Sequence, residues 1–355
     1  MSPAATTRPR SSARLLVLPS AAQGPEGPFA LPTLADLLRP GDVVVVNDAA
    51  TIPGALRGSF RGEAIELRLA GWVAGEPHAL LCVVFGSGDH HVRTEDRGPA
   101  PTLVAGDCVE LGPGDALVVL AVDSSHPRLV KVQSAEGAKG TALELAYAYG
   151  RPVQYAYLRE ELSLYDVQTP FAAAPFAFEM PSAGWALSSD VLLSMQKRGV
   201  TLCALTHAAG LSSTGDAALD AALPLPEAYR VPAGTARAVL RAKKNGGRVV
   251  AVGTSVARAL ETVGRRGFAP GALAGITDLR LGPATSLAVV DALLTGLHEE
   301  GTSHFELLRA FAAPSALANV GAEARKGGML GHEFGDALLV FAQPHVPAMQ
   351  IRERP

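Results

Sequence analysis

The residues best placed for chemistry follow a short apolar run in the second half of the chain. Arg248 to Val252 is typical of a buried strand, and Gly253-Thr254-Ser255 interrupts it. We predict that a helix runs from Val256 to Val263, with Ser255 as its N-cap and Gly264 at its end. The backbone N–H groups and two hydroxyls at that helix start would favour an anionic or polar ligand group. An ordinary strand-to-helix connection, in which the glycine only permits a tight turn, would leave the same pattern.

Two further predicted strands end in polar side chains. Val43 to Val46 is β-branched throughout, which suits a central strand buried on both faces, and Asn47-Asp48 follows it. Thr201 to Leu205 is another such run, and it closes on Thr206-His207 before a small-residue loop that contains Gly210. In an open α/β sheet, ligands bind beyond the carboxyl ends of the strands. A simple turn at Asn47-Asp48 and a structural histidine at position 207 are the alternatives.

Three more positions could carry function. Arg258 and Glu261, three residues apart, would share one face of the predicted helix. Glu227 is the one carboxylate of a rigid Pro-containing turn that runs from Leu223 to Tyr229. His90-His91 lies in a Gly/Asp loop, where a metal pair is the alternative to a solvated loop, and we predict no metal site.

The pattern of apolar residues changes between about Arg57 and Val132. Short alternating runs there are separated by Gly, Pro and Asp, which predicts a small β-barrel or sandwich. Helical and strand patterns flank it, including an apolar stretch at helical spacing from Ser286 to Leu297 and a capping-box helix from Ser303 to Ala312. We therefore predict a mixed-sheet α/β large domain, residues 1–56 and 141–355, with an all-β barrel domain, residues 57–140, inserted into it.

Composition bounds the class of protein. A chain of 355 residues suggests two domains, and a net charge of −3 excludes a basic nucleic-acid binder over its whole surface. The three cysteines lack metal-ligand spacing and fit a reducing cytoplasm. No apolar run is long enough for a transmembrane helix. We expect a cytoplasmic monomer that has no membrane partner.

Together, several blocks resemble the S-adenosylmethionine:tRNA ribosyltransferase-isomerase family of queuosine biosynthesis. They occur in the family's order and span about Arg14 to Phe341: Pro40 to Asp48, Ile52-Pro53, Leu56 to Gly58, Gln168-Thr169, Pro181 to Gly184, Thr206-His207, Glu227 to Tyr229, Ala251 to Ser255 with Arg258 and Leu260-Glu261, Val290-Asp291 with Thr295 and His298, and Gly335 to Ala337. The resemblance implies a mixed α/β domain with an inserted β-barrel, in agreement with the pattern above.

The resemblance also implies a reaction. Such enzymes move the ribosyl part of S-adenosylmethionine onto the aminomethyl group of a 7-deazaguanine in tRNA, without metal or bound cofactor, and release adenine and methionine. We expect His207 to transfer a proton and Glu227 or Asp48 to hold the ribose or adenine. The expected substrate-binding residues are Asn47, Gln168, Thr169, Pro181, Ser182, Gly184, Gly210, Tyr229, Gly253, Thr254, Ser255, Arg258, Glu261, Thr295 and His298.

The sequence departs from the family's signatures at several positions. Ala186 replaces a histidine, Val167 replaces a tyrosine, and Gly296-Leu297 replaces an Asn-Phe pair. Further along, Glu299-Glu300 replaces a Leu-Pro pair, and His332-Glu333-Phe334 replaces Phe-Ser-Tyr. Two alternatives therefore stay open. One is a paralogue that uses S-adenosylmethionine on another acceptor, including a small molecule. The other is a non-catalytic protein that binds RNA or a partner, with basic residues such as Lys243-Lys244 and Arg265-Arg266 as its contact face.

Overall fold

A mixed nine-stranded sheet organises the larger part of the molecule within residues 2–343, which are the residues that this computed structural model describes. Four of its strands are parallel neighbours, and Val43–Asn47 lies between Thr201–His207 and Val249–Val252. In spatial order the strands are Leu273–Thr277, Glu227–Val231, Thr201–His207, Val43–Asn47, Val249–Val252, Ala292–Gly296, Ala337–Phe341, Arg14–Leu18 and Glu26–Ala30.

Hydrophobic cores on both faces of this sheet explain why Val43 to Val46 of its central strand are all apolar. Val43 and Val45 contribute to one core, whereas Val44 and Val46 contribute to the other. Because successive side chains of a strand point to opposite faces, a strand covered on both sides must be apolar at every position. The helices are Leu34–Leu37, Ala142–Tyr149, Ser189–Lys197, Ala217–Ala222, Ala233–Lys244, Thr254–Arg266, Ser303–Leu308 and Pro314–Lys326.

An antiparallel six-stranded barrel confirms the predicted all-β insertion. It closes where Ser59 of its first strand pairs with Glu110, and Gly150–Arg151 adds a short strand against Ala55 and Leu56. The barrel strands are Ala55–Phe60, Glu63–Trp72, Leu80–Phe85, Cys108–Gly112, Asp115–Val122 and Leu129–Ser134. The boundaries at residues 57 and 140 stay predictions. Met1 and residues 344–355, which belong to the predicted large domain, lie outside the described residues.

The start of the predicted ligand-binding helix differs from the expectation. The helix runs from Thr254 to Arg266, so it begins two residues earlier than predicted and continues through Gly264. Gly253, with φ of 97°, is its N-cap, and no side chain caps it. Ser255 therefore lies inside the first turn, and the prediction that it is the N-cap was wrong.

Two other segments also correct the sequence-based expectations. The apolar stretch Ser286 to Leu297 contains the strand Ala292–Gly296, not a helix, because it is buried between two neighbouring strands. The helix expected from Ser303 to Ala312 ends at Leu308. At its N-terminus, the hydroxyl of Thr302 is the cap. None of the helices in residues 2–343 has the length and apolar character that crossing a membrane requires.

Candidate active site

A cavity of about 430 Å³ lies at the carboxyl ends of the parallel strands. Three of the segments that line it lie at or just beyond the ends of those strands: Ala209 to Ser212, Gly253 to Ser255, and Thr295 to Gly296. Its volume is within the range of sites that bind small molecules and cofactors. Its position is the one in which open α/β sheets bind ligands.

The start of helix Thr254–Arg266 forms one part of the cavity wall. Gly253, Thr254 and Ser255 all line the cavity. The 13-residue helix therefore presents its N-terminal end, with its partial positive charge, to the cavity. Nδ2 of Asn47 lies 3.5 Å from Oγ of Ser255, so the end of the central strand contacts this turn.

A buried ion pair occupies the adjoining wall. Oε2 of Glu227 accepts a hydrogen bond from Nη1 of Arg258, and Oε1 accepts one from the N–H of Gly210 at 2.7 Å. Nε of Arg258 also donates to the carbonyl of Leu279, at 2.9 Å. Burial raises the pKa of the Glu227 carboxyl, whereas the Arg258 guanidinium acts in the opposite direction. The contact with Arg258 favours the ionised form of Glu227.

His207 lies behind this pair and does not line the cavity. Its side chain is fully buried, and its Nε2 is 3.5 Å from Oε2 of Glu227. Neither ring nitrogen has a hydrogen-bond partner among the described residues. Burial, and then the charge of Arg258, lower the pKa of His207 well below its usual value, so the imidazole is neutral at pH 7.

Two further histidines, His298 and His304, line the cavity. Their rings stack with centroids 4.9 Å apart, and Nε2 of His298 is hydrogen bonded to Oγ1 of Thr295 at 2.8 Å. Burial is the main cause that lowers the pKa of His298 well below its usual value, and the charge of His304 adds to it. For His304, burial and then the charge of Arg258 lower the pKa to about 4. Both imidazoles are therefore neutral at pH 7 and able to accept a proton.

Two carboxylates on the wall were not found from the sequence. Glu179 accepts a hydrogen bond from the hydroxyl of Tyr155, and Glu333 accepts one from the hydroxyl of Tyr157. Burial raises the pKa of Glu179 to about 7, and the charge of Glu333 adds to this rise. The tyrosines belong to an irregular segment far along the chain from either carboxylate, so spacing alone gives no signal for these pairs.

A family model described as a queuosine biosynthesis protein matches residues 2–340. The chain belongs to this family. Its S-adenosylmethionine:tRNA ribosyltransferase-isomerase relatives include one from Gluconacetobacter diazotrophicus, 31% identical, with 95% of this chain and 92% of the relative covered. Another, from Thermus thermophilus, is 30% identical, with 94% of each chain covered. Like these queuosine biosynthesis relatives, the protein is an enzyme.

A solved structure supports the fold of this family member. The crystal structure of an S-adenosylmethionine tRNA ribosyltransferase from Thermotoga maritima matches 96% of this chain and 95% of its own, with a TM-score of 0.50 and 23% identity. The match includes both the mixed sheet and the inserted barrel, since it extends over nearly the whole chain. The resemblance stated from the sequence is therefore confirmed at the level of family and fold.

The residues predicted from the family signatures divide into two groups. Those that line the cavity are Glu227, Pro181, Ser182, Gly210, Gly253, Thr254, Ser255, Arg258, Thr295 and His298. Those that lie elsewhere are Asn47, Asp48, Gln168, Thr169, Gly184, His207, Tyr229 and Glu261. The second group supports the architecture around the cavity, as its hydrogen bonds and burial show.

Glu261 is the most deeply engaged member of the second group. Its side chain is fully buried, and it accepts hydrogen bonds from the N–H groups of Ala288, Val289 and Val290 at 2.7–2.9 Å. The carboxylate therefore holds the backbone that leads into strand Ala292–Gly296. Both of its oxygens accept backbone N–H groups, and it does not line the cavity; its assignment as a substrate-binding residue stays a prediction.

Asn47 and Gln168 also bind backbone. Asn47 accepts the N–H of His207 and donates to its carbonyl, both at 2.9 Å, and so joins two strand ends. Gln168 accepts the N–H of Thr51 at 3.0 Å and donates to the carbonyl of the same residue at 2.9 Å. These two amides complete strand edges in the way that a neighbouring strand would.

The other members of the second group have comparable local roles. Asp48 accepts a hydrogen bond from the Thr206 hydroxyl at 2.7 Å. The Thr169 hydroxyl accepts a hydrogen bond from the N–H of Phe171, and the Tyr229 hydroxyl accepts one from the Arg266 guanidinium. Gly184 is the last residue of the short 3₁₀ turn Ser182–Gly184. The expectation that Asp48 holds the ribose or adenine is not supported by its position outside the cavity.

The loop histidines have a third potential donor nearby. Asp89, His90 and His91 each offer one ligand atom, and these atoms lie within 4.8 Å of one another. His91 Nδ1 is 3.0 Å from Asp89 Oδ1, an ordinary hydrogen-bond distance. Three donors on consecutive residues fall short of the four that a structural zinc site uses. The absence of a metal site stays a prediction.

Proposed function

We propose that this protein transfers and isomerises the ribosyl group of S-adenosylmethionine onto 7-aminomethyl-7-deazaguanine in tRNA. The product is the epoxyqueuosine nucleoside, and adenine and methionine are released. The reaction so proposed requires no metal or bound cofactor and takes place in the cytoplasm, where tRNA is modified. Membership of the queuosine biosynthesis family, together with the cavity at the carboxyl ends of the parallel strands, supports this assignment.

The cavity contains groups suited to the steps of this reaction. A proton next to the sulfonium must be removed, and a neutral imidazole such as His298 or His304 can accept it. The ribose hydroxyls need hydrogen-bond acceptors, and the Glu227 carboxylate is already fixed by Arg258 and Gly210. A preorganised acceptor of this kind stabilises a transition state without having to reorient. The hydroxyls of Thr254 and Ser255 can bind the polar end of the same substrate.

A second candidate is the same chemistry on a different acceptor. Glu299 and Glu300 are exposed beside Gly301, which lines the cavity. Two carboxylates at this position disfavour the approach of RNA phosphates, because phosphate neutralisation supplies much of the affinity for nucleic acid. This feature favours a smaller or less anionic acceptor, and the adenine-release experiment distinguishes the two.

The experiment measures free adenine after the protein is incubated with S-adenosylmethionine, with and without tRNA that carries the aminomethyl-deazaguanine. The proposal predicts release that requires this tRNA and decreases steeply as salt is raised. Release that needs no tRNA and is unchanged by salt would overturn the tRNA acceptor and favour the second candidate. A salt-sensitive tRNA complex that never releases adenine would instead indicate a protein that only binds RNA.

A matched pair of variants links the activity to the cavity. Glu227→Gln removes the charge of the proposed ribose-binding group while keeping its shape, and we expect a large loss of adenine release. Glu323→Gln makes the same change on helix Pro314–Lys326, outside the cavity, and we expect activity close to that of the wild type. Equal activity of both variants would contradict the placement of the reaction in this cavity.

A further inference from the structure

Two carboxylates lie at the junction between the main cavity and a much smaller one. Glu179 and Glu333 line both cavities, and Met180 is the other residue that does so. Each carboxylate accepts a hydrogen bond from a tyrosine: Tyr155 for Glu179 and Tyr157 for Glu333. The two tyrosine rings are nearly parallel, with centroids 6.2 Å apart. The tyrosines therefore hold the two carboxylates in one region of the wall.

Each carboxylate keeps one oxygen unused. Oε1 of Glu179 also accepts the N–H of Ser212 at 3.1 Å, whereas its Oε2 has no hydrogen-bond partner within residues 2–343. For Glu333, Oε2 is occupied by Tyr157, and Oε1 has no partner in the same part of the chain. Neither unused oxygen is among the buried atoms that lack a partner, so both are accessible. The wall thus offers two open acceptors.

The neighbouring cations are already committed. Arg68 lies over the Tyr155 ring, with 5.5 Å from its guanidinium carbon to the ring centroid, but it pairs with Glu66 at 2.6 Å. Arg258 pairs with Glu227 on another part of the wall. Across residues 2–343, neither Glu179 nor Glu333 forms an ion pair. A ligand that brings its own positive charge would supply the counterion that this region lacks.

A second arginine of the cavity wall is also occupied. Arg280 lines the cavity but donates to the backbone carbonyls of Ala221 and Ala222. His332 stacks near Tyr157, with ring centroids 4.2 Å apart, beside the Glu333 carboxylate. A cation binding between the two carboxylates would therefore meet hydrogen-bond acceptors and no uncommitted arginine among the described residues of the wall.

We infer that Glu179 and Glu333 form a subsite for an alkylammonium group of a substrate. The inference rests on the proposed function, since both S-adenosylmethionine and the aminomethyl-deazaguanine acceptor carry such a group. An ammonium has three N–H donors, which match two open carboxylate oxygens and further cavity acceptors. The sulfonium of S-adenosylmethionine has no N–H or O–H donor, so it matches the paired acceptors less well.

The subsite has a pH signature. The charged and titratable groups around Glu179 are Tyr155, Tyr157, Glu333 and Arg68, and the pKa of Glu179 is about 7. Below pH 7 the carboxyl is protonated and neutral, so the attraction for an ammonium weakens. Between pH 6 and pH 8 the ionised fraction of such a group rises about tenfold, which sets the expected change in affinity.

Titration calorimetry with matched ligands tests the subsite and shows which substrate provides the ammonium group. One pair is S-adenosylmethionine and its analogue without the α-amino group; the other is 7-aminomethyl-7-deazaguanine and 7-methyl-7-deazaguanine. The proteins are the wild type, Glu179→Gln, Glu333→Gln and the control Glu323→Gln, each checked by thermal unfolding. Glutamine keeps the hydrogen bond from tyrosine, so the fold is expected to be preserved.

The wild type and the control are expected to bind the amino member of one pair about 10- to 100-fold more tightly than its partner. Both cavity variants should bring that ratio close to one, and Glu179→Gln should remove its rise between pH 6 and pH 8. The pair that shows the ratio names the substrate that provides the ammonium. If the cavity variants lose the preference for S-adenosylmethionine over its analogue without the α-amino group, the subsite binds the amino acid end of S-adenosylmethionine. If they lose the preference for 7-aminomethyl-7-deazaguanine over 7-methyl-7-deazaguanine, the subsite binds the acceptor.

The results also distinguish failure of the ammonium subsite from failure of the proposed function. If the wild type binds S-adenosylmethionine but both cavity variants keep the wild-type ratios, or if the wild type shows no ratio at all, the ammonium subsite is wrong and the proposed function survives. If the wild type binds neither S-adenosylmethionine nor the base, the proposed function fails and the subsite fails with it.

Discussion

Nε2 of His207 lies 3.5 Å from Oε2 of Glu227, the same carboxylate oxygen that accepts a hydrogen bond from Arg258. The histidine is fully buried, whereas Glu227 and Arg258 line the cavity. A neutral imidazole that fills the space behind the carboxylate can fix its position without reaching the substrate. In the proposed function these three signature residues have three distinct roles: His207 supports Glu227, Glu227 binds the ligand, and Arg258 neutralises the charge of Glu227.

The first prediction concerns the buried ion pair. Arg258→Ala leaves the Glu227 carboxylate buried without its counterion, and the free energy of unfolding should decrease by about 3–5 kcal/mol. The control is Lys326→Ala, which removes a mostly exposed partner of Glu323 at 3.4 Å and should cost less than about 0.5 kcal/mol. Urea denaturation measures both. Similar losses in the two variants would contradict the importance assigned to the buried pair.

His207 is expected to support catalysis only through Glu227. His207→Gln should lower the rate of adenine release by less than about tenfold, since its ring does not reach the cavity. His298→Gln removes a proposed proton acceptor on the wall, and its loss should be about 10²–10⁴-fold. Steady-state kinetics on both variants, with melting temperatures to verify the fold, decide the matter. A loss of that larger size at position 207 would restore it as a proton-transfer residue.

Glu261 should be essential for stability. Glu261→Leu leaves the N–H groups of Val289 and Val290 buried without an acceptor, at a cost of about 1–3 kcal/mol each, and also removes the acceptor of the more exposed Ala288 N–H. We expect the free energy of unfolding to decrease by more than about 3 kcal/mol. The same change at Glu323, on the surface, should have an effect within about 0.5 kcal/mol. A stable Glu261→Leu protein that has lost only ligand affinity would favour the original binding assignment.

The pKa of His304 predicts a pH dependence of stability. Its folded-state pKa is about 4, below the unfolded value of about 6.5, so between these pH values the unfolded chain binds a proton that the folded protein does not. The free energy of unfolding therefore decreases as the pH is lowered from 6.5 towards 4, by at most about 3 kcal/mol from this group. His304→Gln should reduce that decrease. Urea denaturation at several pH values measures it, and identical profiles would contradict the assignment.

The central strand and the barrel were predictable because local pattern and final environment agree there. Four consecutive valines, Val43 to Val46, fit only a strand whose two faces are both covered, and the sheet provides both covers. The barrel strands alternate between inside and outside, so their period is visible in the sequence. The segment Ser286 to Leu297 failed because an apolar strand between two neighbours is apolar throughout, and its pattern then also fits a helix.

The site was predictable only in part. Gly253 to Ser255 was found because a glycine after an apolar run marks the end of a strand, and the cavity lies at that end. Glu179 was missed because its partner Tyr155 is 24 residues away in an irregular segment. Glu261 was assigned to the ligand because its spacing from Arg258 fixes a shared helix face, but spacing does not identify what that face contacts.

The pairing of the first long strand has a consequence for the order of folding. Arg14–Leu18 pairs with the nearby Glu26–Ala30 on one side but with Ala337–Phe341 on the other, so its second edge stays unpaired until about 340 residues have been synthesised. The barrel strands, in contrast, all lie within Ala55–Ser134, so their pairings, including the closure between Ser59 and Glu110, can form once about 134 residues have been synthesised. On the ribosome, the barrel can therefore fold first, while the apolar strand Val43–Asn47 before it waits for Thr201–His207 and Val249–Val252. Until those strands emerge, Val43–Asn47 exposes apolar side chains and unpaired backbone groups.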